Sequence, residues 1–394
     1  MKKIRYINLF YWALFLWSFS YTFLIESILQ SQYGNFVGRI YTMVWLLARV
    51  LLSIKVIHDI SKSGKLLFPV AAIMIIGYCS FRGNNTQFLF PLFWFAAAGK
   101  NTNIKKIINI LFKAQIISVL GIVAMAVIGL LPLEATNKSA TGELVYAFGF
   151  PHANTFASKI TQIIMLFIAK NNRKFNPKYF VYIAVVLIVT YYLTKCRSAV
   201  LIATALVLLI LINNKTYYNE KKIKRNKFLG RTMKFMKYIA FIVAAICIYL
   251  STASSYSEGL NTLFSGRFNL ATIYMNYYKI NLWGQPIASY KNNREMLMKT
   301  QLYTLDNAYI YLLLGFGVVI FVIFLFAQIK TIAQLARKKQ IIYILFFVVY
   351  AFWGMSETVM IRASYNFTLF IMIAVLWNKY STGDCFYENI SDCS

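Results

Sequence analysis

Acidic residues are scarce in this chain of 394 residues: 12 Asp and Glu stand against 41 Lys and Arg, for a formal net charge of +29. In a soluble protein that balance would point to nucleic acid. Histidine is scarcer still, with only His58 and His152, which lie far apart in the chain. A lone histidine builds no metal site, so no metal is expected. The five cysteines (Cys79, Cys196, Cys247, Cys385, Cys393) follow neither a metal nor a disulfide pattern. Cys79 and Cys247 sit in apolar runs and read as inert packing residues. The tail ends in Asp-Cys-Ser, which is not a prenylation box. No P-loop and no GxGxxG is present, as is compatible with an enzyme that works outside the cell and handles no nucleotide.

What the chain has in abundance is apolar residues, 59% of the total. They gather in continuous runs of roughly 17–25 residues, the length that crosses a bilayer core at helical rise. Lipid offers the backbone no hydrogen-bond partners, so helices are expected. A β-barrel would need short alternating strands, and these runs are continuous. The predicted fold is an all-α polytopic membrane protein, one integral membrane domain over 1–394. About twelve spans are expected, near 6–29, 36–57, 66–82, 87–99, 107–131, 153–169, 178–194, 197–213, 238–252, 306–329, 341–357 and 363–377. The fourth is short and holds Pro91, so it also fits a re-entrant segment. Only Lys195-Cys196 separates the seventh from the eighth. The first run is too long for a cleavable signal and reads as a membrane helix.

Charge tests this topology. With the N-terminus in the cytoplasm and the spans alternating, every inside segment is basic, from Lys55/Lys62/Lys65 and Lys100/Lys105/Lys106 to Lys330/Arg337/Lys338/Lys339. Both termini then lie inside. The basic loop 214–237, with its run KKIKRNK, faces the cytoplasm near anionic lipid rather than nucleic acid. Two sizeable segments face outward, 132–152 and 253–305.

The longer outer segment mixes Gly, Ser, Asn, Tyr and Trp with separated charges, as a folded loop does. After Ser265-Gly266, a candidate cap, Leu270, Ile273, Tyr274, Tyr277 and Tyr278 recur at helical intervals. Arginines on this side stand where positive charge is otherwise avoided. Arg197 lies between two spans, Arg267 follows Gly266, and Arg294 follows Asn292-Asn293. Their planar forks suit phosphate oxygens, as in a diphosphate lipid head. The plainer reading is isolated arginines snorkelling to the interface.

The outer acids are few: Glu134, Glu143, Glu258, Glu295, Asp306 and Glu357. Asp306, at the mouth of the tenth span, reads equally as a proton-accepting carboxylate or as the cap of Asn307-Ala308-Tyr309. His152 precedes the sixth span in Gly149-Phe150-Pro151-His152-Ala153-Asn154; Pro151 sets the start of that helix and Asn154 is its candidate cap. Arg39, Arg49 and Lys113 fall within spans and are expected to face the bundle interior or to pair, with Glu26 a partner for one of the arginines.

Four motifs, in order, resemble those of the bacterial O-antigen and capsule polymerases (Wzy-type) and the related O-antigen ligases. They are Gly149-Phe150-Pro151-His152-Ala153-Asn154; Thr194-x-x-Arg197-Ser198; Ser265-Gly266-Arg267 with Trp283-Gly284; and Asp306-Asn307-Ala308-Tyr309 opening the span LLLGFGVVI. The resemblance covers about 145–325. It implies a GT-C-like helical bundle, open sideways at the outer leaflet, with the large outer loop folded as short helices. The implied activity is metal-independent glycosyl transfer, in which a glycan on undecaprenyl diphosphate is moved onto another lipid-linked repeat unit, with no cofactor. It assigns Arg197, Arg267 and, by loop position, Arg294 to the diphosphate. Asp306 is the catalytic acid-base candidate, and His152, Asn154, Asn307 and Tyr309 are substrate-binding candidates. Implied partners are membrane lipid, a flippase and chain-length regulator proteins, in the bacterial cytoplasmic membrane. Ligases of this family carry His where Asp306 stands, which favours the polymerase. The alternatives are the sister ligase and a lipid-linked oligosaccharide flippase or transporter.

Overall fold

A computed structural model describes residues 6–84, 88–134, 144–171, 176, 178–217, 227–252, 266–287 and 305–378. Among them the chain is helical throughout, and the sole β feature is an isolated bridge between Glu134 and Tyr146. The principal helices are α1 (Ile7–Ser20), α2 (Gly34–Lys62), α3 (Leu67–Asn84), α4 (Phe90–Ala97), α5 (Ile104–Val127), α6 (Ala153–Lys170), α7 (Lys178–Thr194) and α8 (Arg197–Tyr217). They continue as α9 (Lys227–Phe235), α10 (Ile239–Thr252), α11 (Arg267–Tyr277), α12 (Ala308–Tyr311), α13 (Gly317–Arg337), α14 (Ile341–Trp353) and α15 (Thr368–Asn378).

Among the described residues, six helical stretches are long and apolar enough to cross a membrane: Ile7–Ile25, Gly34–Lys62, Gly64–Gly83, Ile104–Val127, Gly230–Thr252 and Ala308–Arg337. That marks a membrane protein. The apolar helices α7, α14 and α15 are shorter, as is the apolar part of α8. α4, where a short fourth span was expected, is a helix of 8 residues. The bend between α7 and α8 falls at Lys195-Cys196, with Lys195 at φ +53° and the Thr194 hydroxyl accepting the Cys196 N–H.

The described chain forms two compact units. The first comprises Met1–Pro69, Trp94–Ile223 and Phe367–Ser394. Its core is aromatic: Phe95 packs against Phe10, Trp17, Trp45 and Phe370 with ring centroids 5.4–6.2 Å apart. Gly99 gives room here, since a Cβ would sit 2.3 Å from Ile373 and 2.6 Å from Trp377.

α1 does not run straight to its end. Its last turn, Tyr21–Ile25, is π-helical and stops at Glu26. Such turns arise where side chains rather than regular backbone pairing set the geometry. Here Glu26 Oε2 lies 2.6 Å from Lys159 Nζ on α6, with Lys159 fully buried and Glu26 9% exposed. Thr22 donates to Glu26 at 3.2 Å and accepts from Lys159 at 3.2 Å, while Gln115 on α5 donates to Ser18 at 2.9 Å. Glu26 therefore pairs with Lys159, not with Arg39 or Arg49 as expected. Arg39 and Lys113 are exposed, and the Arg49 guanidinium lies 5.6 Å over Trp45. Arg39 and Lys113 keep their charged heads out of the core, and the buried lysines among the described residues are Lys159 and Lys55, the latter paired with Asp59 at 2.6 Å.

The second unit comprises Val70–Phe93 and Lys224–Asn366. Its long span is broken. α12 passes through a π-helical turn, Leu312–Phe316, and restarts as α13 at Gly317, with φ +85° and ψ 170°. N–H groups just beyond such a break lose their carbonyls one turn back, which a membrane interior does not forgive. The segment after α11 supplies replacements: Val318 N–H donates to Asn281 O at 3.0 Å and Val319 N–H to Leu282 O at 3.2 Å. Gln285 N–H in turn donates to Gly315 O at 3.1 Å. Backbone meets backbone, so side chains must be absent. A Cβ on Gly284 would lie 2.0 Å from Gly315 O, one on Gly317 2.3 Å from Gly284 N, and one on Gly83 2.1 Å from Trp283 O. Trp283-Gly284 and LLLGFGVVI, separate motifs in the sequence, are two sides of one contact.

α11 forms where the aromatic periodicity expected a helix; of the expected stripe it buries Tyr274, together with Phe268 and Ala271, and leaves Leu270 and Ile273 half-buried. Tyr277 is exposed and Tyr278 is the C-terminal cap residue. Gly266 opens the helix in the left-handed conformation, φ +77°, with no side-chain cap. Ser265 and the remainder of the outer segment, 253–264 and 288–304, lie outside the described residues.

Candidate functional site

The second unit gathers charge at one place. Arg267 is the first residue of α11, directly after the left-handed Gly266. Its Nη2 lies 2.7 Å from Glu357 Oε1 and its Nε 3.5 Å from Asp306 Oδ2. The three side chains are partly open, at 19% for Arg267, 33% for Asp306 and 15% for Glu357. Helix starts and turns set all three. Leu305 is buried just before Asp306. Glu357 has extended backbone at the start of a 3-10 turn, Thr358–Ile361, in the loop after α14.

The cap of α12 is not Asp306. The sequence left it between capping and chemistry. The cap is Asn307, whose Oδ1 accepts from Tyr309 N–H at 3.0 Å and Ile310 N–H at 3.1 Å. Ala308 N–H donates to Gly354 O at 2.8 Å, which ties the helix start to the same loop that carries Glu357. Asp306 is left to face Arg267. Burial pushes its carboxyl above the ordinary carboxylate range, and the positive charges of Arg267 and Arg362 pull it back only in part.

Arg362 is the second cation. Its guanidinium lies 4.4 Å over the Phe88 ring. Phe88 packs in turn on Tyr311 at 5.4 Å, and Phe88 O accepts from Ala363 N–H. Tyr274 of α11 belongs to the same surroundings. Its hydroxyl is pushed up to about 12, chiefly by burial and then by Tyr278, Tyr311 and Asp306. Two guanidinium groups, two carboxylates and two phenols therefore share one environment. Such a set can hold an anion and can accept or return a proton.

No protein-family model, curated protein or solved structure matches the chain. The site is therefore read from its geometry.

The residues singled out in the sequence separate into groups. Arg267 and Asp306 come together, joined by Glu357 and Arg362, to which no role was given. Asn307 and Tyr309 stand beside them but are fully buried; Asn307 caps the helix and the Tyr309 hydroxyl donates to Ala351 O at 2.9 Å. Arg197, His152 and Asn154 belong to the first unit. Arg197 opens α8 and is exposed, with no ion pair among the described residues. His152 is the cap residue of α6, with its carbonyl accepting from Thr155 N–H at 3.0 Å, and its side chain makes no cap hydrogen bond. Asn154 is exposed in the first turn and does not cap. Arg294, Glu143, Glu258 and Glu295 lie outside the described residues. Among the described residues, no group of three or more His, Cys, Asp or Glu gathers as metal ligands would.

The missed residues had a usable signal. Arg362 and Glu357 were charges in the segments expected to face outward, where charge is scarce, the same property that drew attention to Arg267. Lys159 carried a signal too, as a charge within the expected sixth span, 153–169, where it must pair or face the interior.

Proposed function

We propose that the protein is a membrane glycosyltransferase that polymerises undecaprenyl-diphosphate-linked repeat units into a surface polysaccharide at the outer face of the bacterial cytoplasmic membrane. The observation that carries this reading is the Arg267–Asp306–Glu357 cluster at the start of the 30-residue apolar stretch α12–α13. Twelve spans with both termini cytoplasmic would set that cluster at the outer mouth of the tenth. The order of motifs shared with the Wzy-type polymerases supports the same assignment, and Asp306 in place of the ligases' histidine supports polymerase over ligase.

In this reading the bond from the donor glycan's anomeric carbon to the carrier diphosphate breaks as an acceptor hydroxyl oxygen bonds to that carbon. The diphosphate leaves with the electron pair. Arg267 stabilises its developing charge. Asp306 takes the proton of the acceptor hydroxyl; its raised affinity for a proton suits that task. Neither a metal nor a nucleotide sugar is required. A flippase delivering the repeat units and a chain-length regulator are the expected partners.

One observation favours a second reading, transport of a lipid-linked oligosaccharide. The α12–α13 span is discontinuous, and transporters place substrates at such breaks. Purified protein in nanodiscs, given only lipid-linked repeat units, separates the two. A ladder of longer glycans supports the transferase. Unchanged single units, with labelled lipid appearing in the opposite leaflet, supports the transporter.

A further inference from the structure

The segment after α11 does more than repair the broken span. Its backbone reaches α13 at Val318 and Val319, whose N–H groups donate to Asn281 O and Leu282 O, and Gln285 N–H donates to Gly315 O. Those partners lie well inside the apolar stretch. Lys330 is its first charged residue, and it is exposed. A bilayer core takes about 20 helical residues. Counting about that many back from Lys330 reaches Ile310, ahead of the break at Leu312–Gly317. Residues 279–285 therefore sit at the level of the hydrocarbon, although the sequence placed them in a loop outside it.

The side chains agree with that level. Ile280, Leu282 and Trp283 are all exposed, Leu282 at 64%. The two amides of the segment turn to the chain itself: Asn281 Nδ2 donates to Gln285 Oε1 at 3.2 Å, and Gln285 Nε2 donates to Lys279 O. In water an amide needs no partner from the protein; in hydrocarbon it does. Lys279, at the start of the segment, is exposed, and its long stem can carry the ammonium toward the headgroups. α13 extends the same surface. One and two turns beyond Val318 and Val319 stand Val322, Ile323 and Phe326, all exposed. Four-residue spacing puts them on the helix face that the segment covers. One exposed apolar surface thus runs from Phe326 to Trp283, and an apolar surface of that kind on a bilayer-crossing helix meets acyl chains.

We infer that residues 279–285 form a re-entrant strap that enters the bilayer and presents Ile280, Leu282 and Trp283 to lipid acyl chains. Irregular backbone is tolerated at membrane depth only where protein satisfies it. Here the broken span and the strap supply each other's partners, Gly284 and Gly317 admit the close approach, and the amide pair closes the strap on itself. Break and strap are one device, each covering polar backbone that the other leaves open. Such a strap serves a transferase or a transporter equally, so its failure leaves the proposed chemistry standing.

The test uses the full chain in liposomes of phosphatidylethanolamine and phosphatidylglycerol, with and without bromine on the acyl chains. Bromine quenches tryptophan on contact, and the emission of Trp283 is read as the difference between the wild type and Trp283→Phe. That emission is expected to lose most of its intensity in brominated lipid and to ignore iodide supplied on both sides of the membrane. Quenching by iodide, alone or together with bromine, puts the strap in water or among headgroups and overturns the inference. Quenching by neither overturns it as well, because protein then covers the strap. Melting temperature reports whether Trp283→Phe is folded, and if it is not, Leu282→Glu decides. A carboxyl on a water-exposed side chain leaves the melting temperature nearly unchanged. The same carboxyl in lipid is expected to lower it by roughly 5 °C or more, while Leu282→Ala, which removes the same contacts without adding charge, lowers it far less. An unchanged melting temperature for Leu282→Glu in liposomes overturns the inference.

Discussion

Replacing Lys159 with methionine strands Glu26. The two groups lie 2.6 Å apart, Lys159 with no exposure and Glu26 with 9%, so neither has solvent to fall back on. Lys159 also donates to Thr22 at 3.2 Å and to Gln115 at 3.4 Å, and these bonds vanish with it. Removing one partner of a buried pair costs about 3–5 kcal/mol, because an uncompensated charge is left inside. Against a total stability of roughly 5–15 kcal/mol, that is a large share. Glu26→Gln alone is expected to cost less, since the amide still accepts from Thr22 and Lys159. Lys159→Met with Glu26→Gln removes both charges, so the double variant should lie well above Lys159→Met alone. The assay is reversible unfolding in mixed micelles, analysed as a double-mutant cycle. A coupling of about 2 kcal/mol or more is expected for groups in direct contact within one network. The reasoning is refuted if Lys159→Met costs under about 1 kcal/mol, the range of an exposed pair, or if the two substitutions simply add.

Gly284→Ala and Gly317→Ala each place a Cβ within 2.3 Å of facing backbone at a positive φ. Each should cost about 1–3 kcal/mol from strain alone and lower the melting temperature in detergent; unchanged melting would contradict the backbone contact across the broken span. Asn307→Ala loses both cap hydrogen bonds at a buried helix start, a loss of about 1–2 kcal/mol readable in the same melts. Asp306 also carries a pH signature. Its native carboxyl holds a proton to higher pH than in the unfolded chain, so its contribution to stability is present at low pH and is lost as pH rises through the native value. Asp306→Asn, a neutral stand-in for the protonated form, should flatten that decline and abolish glycan transfer; transfer at the wild-type rate would remove Asp306 from the chemistry.

Much of the fold was legible because bilayer helices write themselves in composition. The runs near 178–194 and 238–252 became helices at nearly those limits. Interruptions were less visible. The π turn at Tyr21–Ile25 follows from the distant pairing of Glu26 with Lys159, and the break at Leu312–Gly317 follows from a loop segment docking on it. Neither cause is local, so a window of sequence does not contain it. Arg267 and Asp306 stood out as charges on a sparsely charged side, and the fold joined them. Their companions Glu357 and Arg362 lie 90 and 95 residues beyond Arg267 and carry no motif. Asn307 and Tyr309 drew attention by standing next to Asp306, but a helix start demands a cap and a buried anchor, and those two side chains meet that demand.

The most direct test of the central claim is the length of surface glycan in cells carrying Arg267→Ala, with membrane expression of the variant verified. Long chains should vanish while single repeat units accumulate on the lipid carrier. Chains of normal length, accompanied by failure to move a solute or lipid across the membrane, would contradict the transferase and leave transport as the function of the Arg267 cluster.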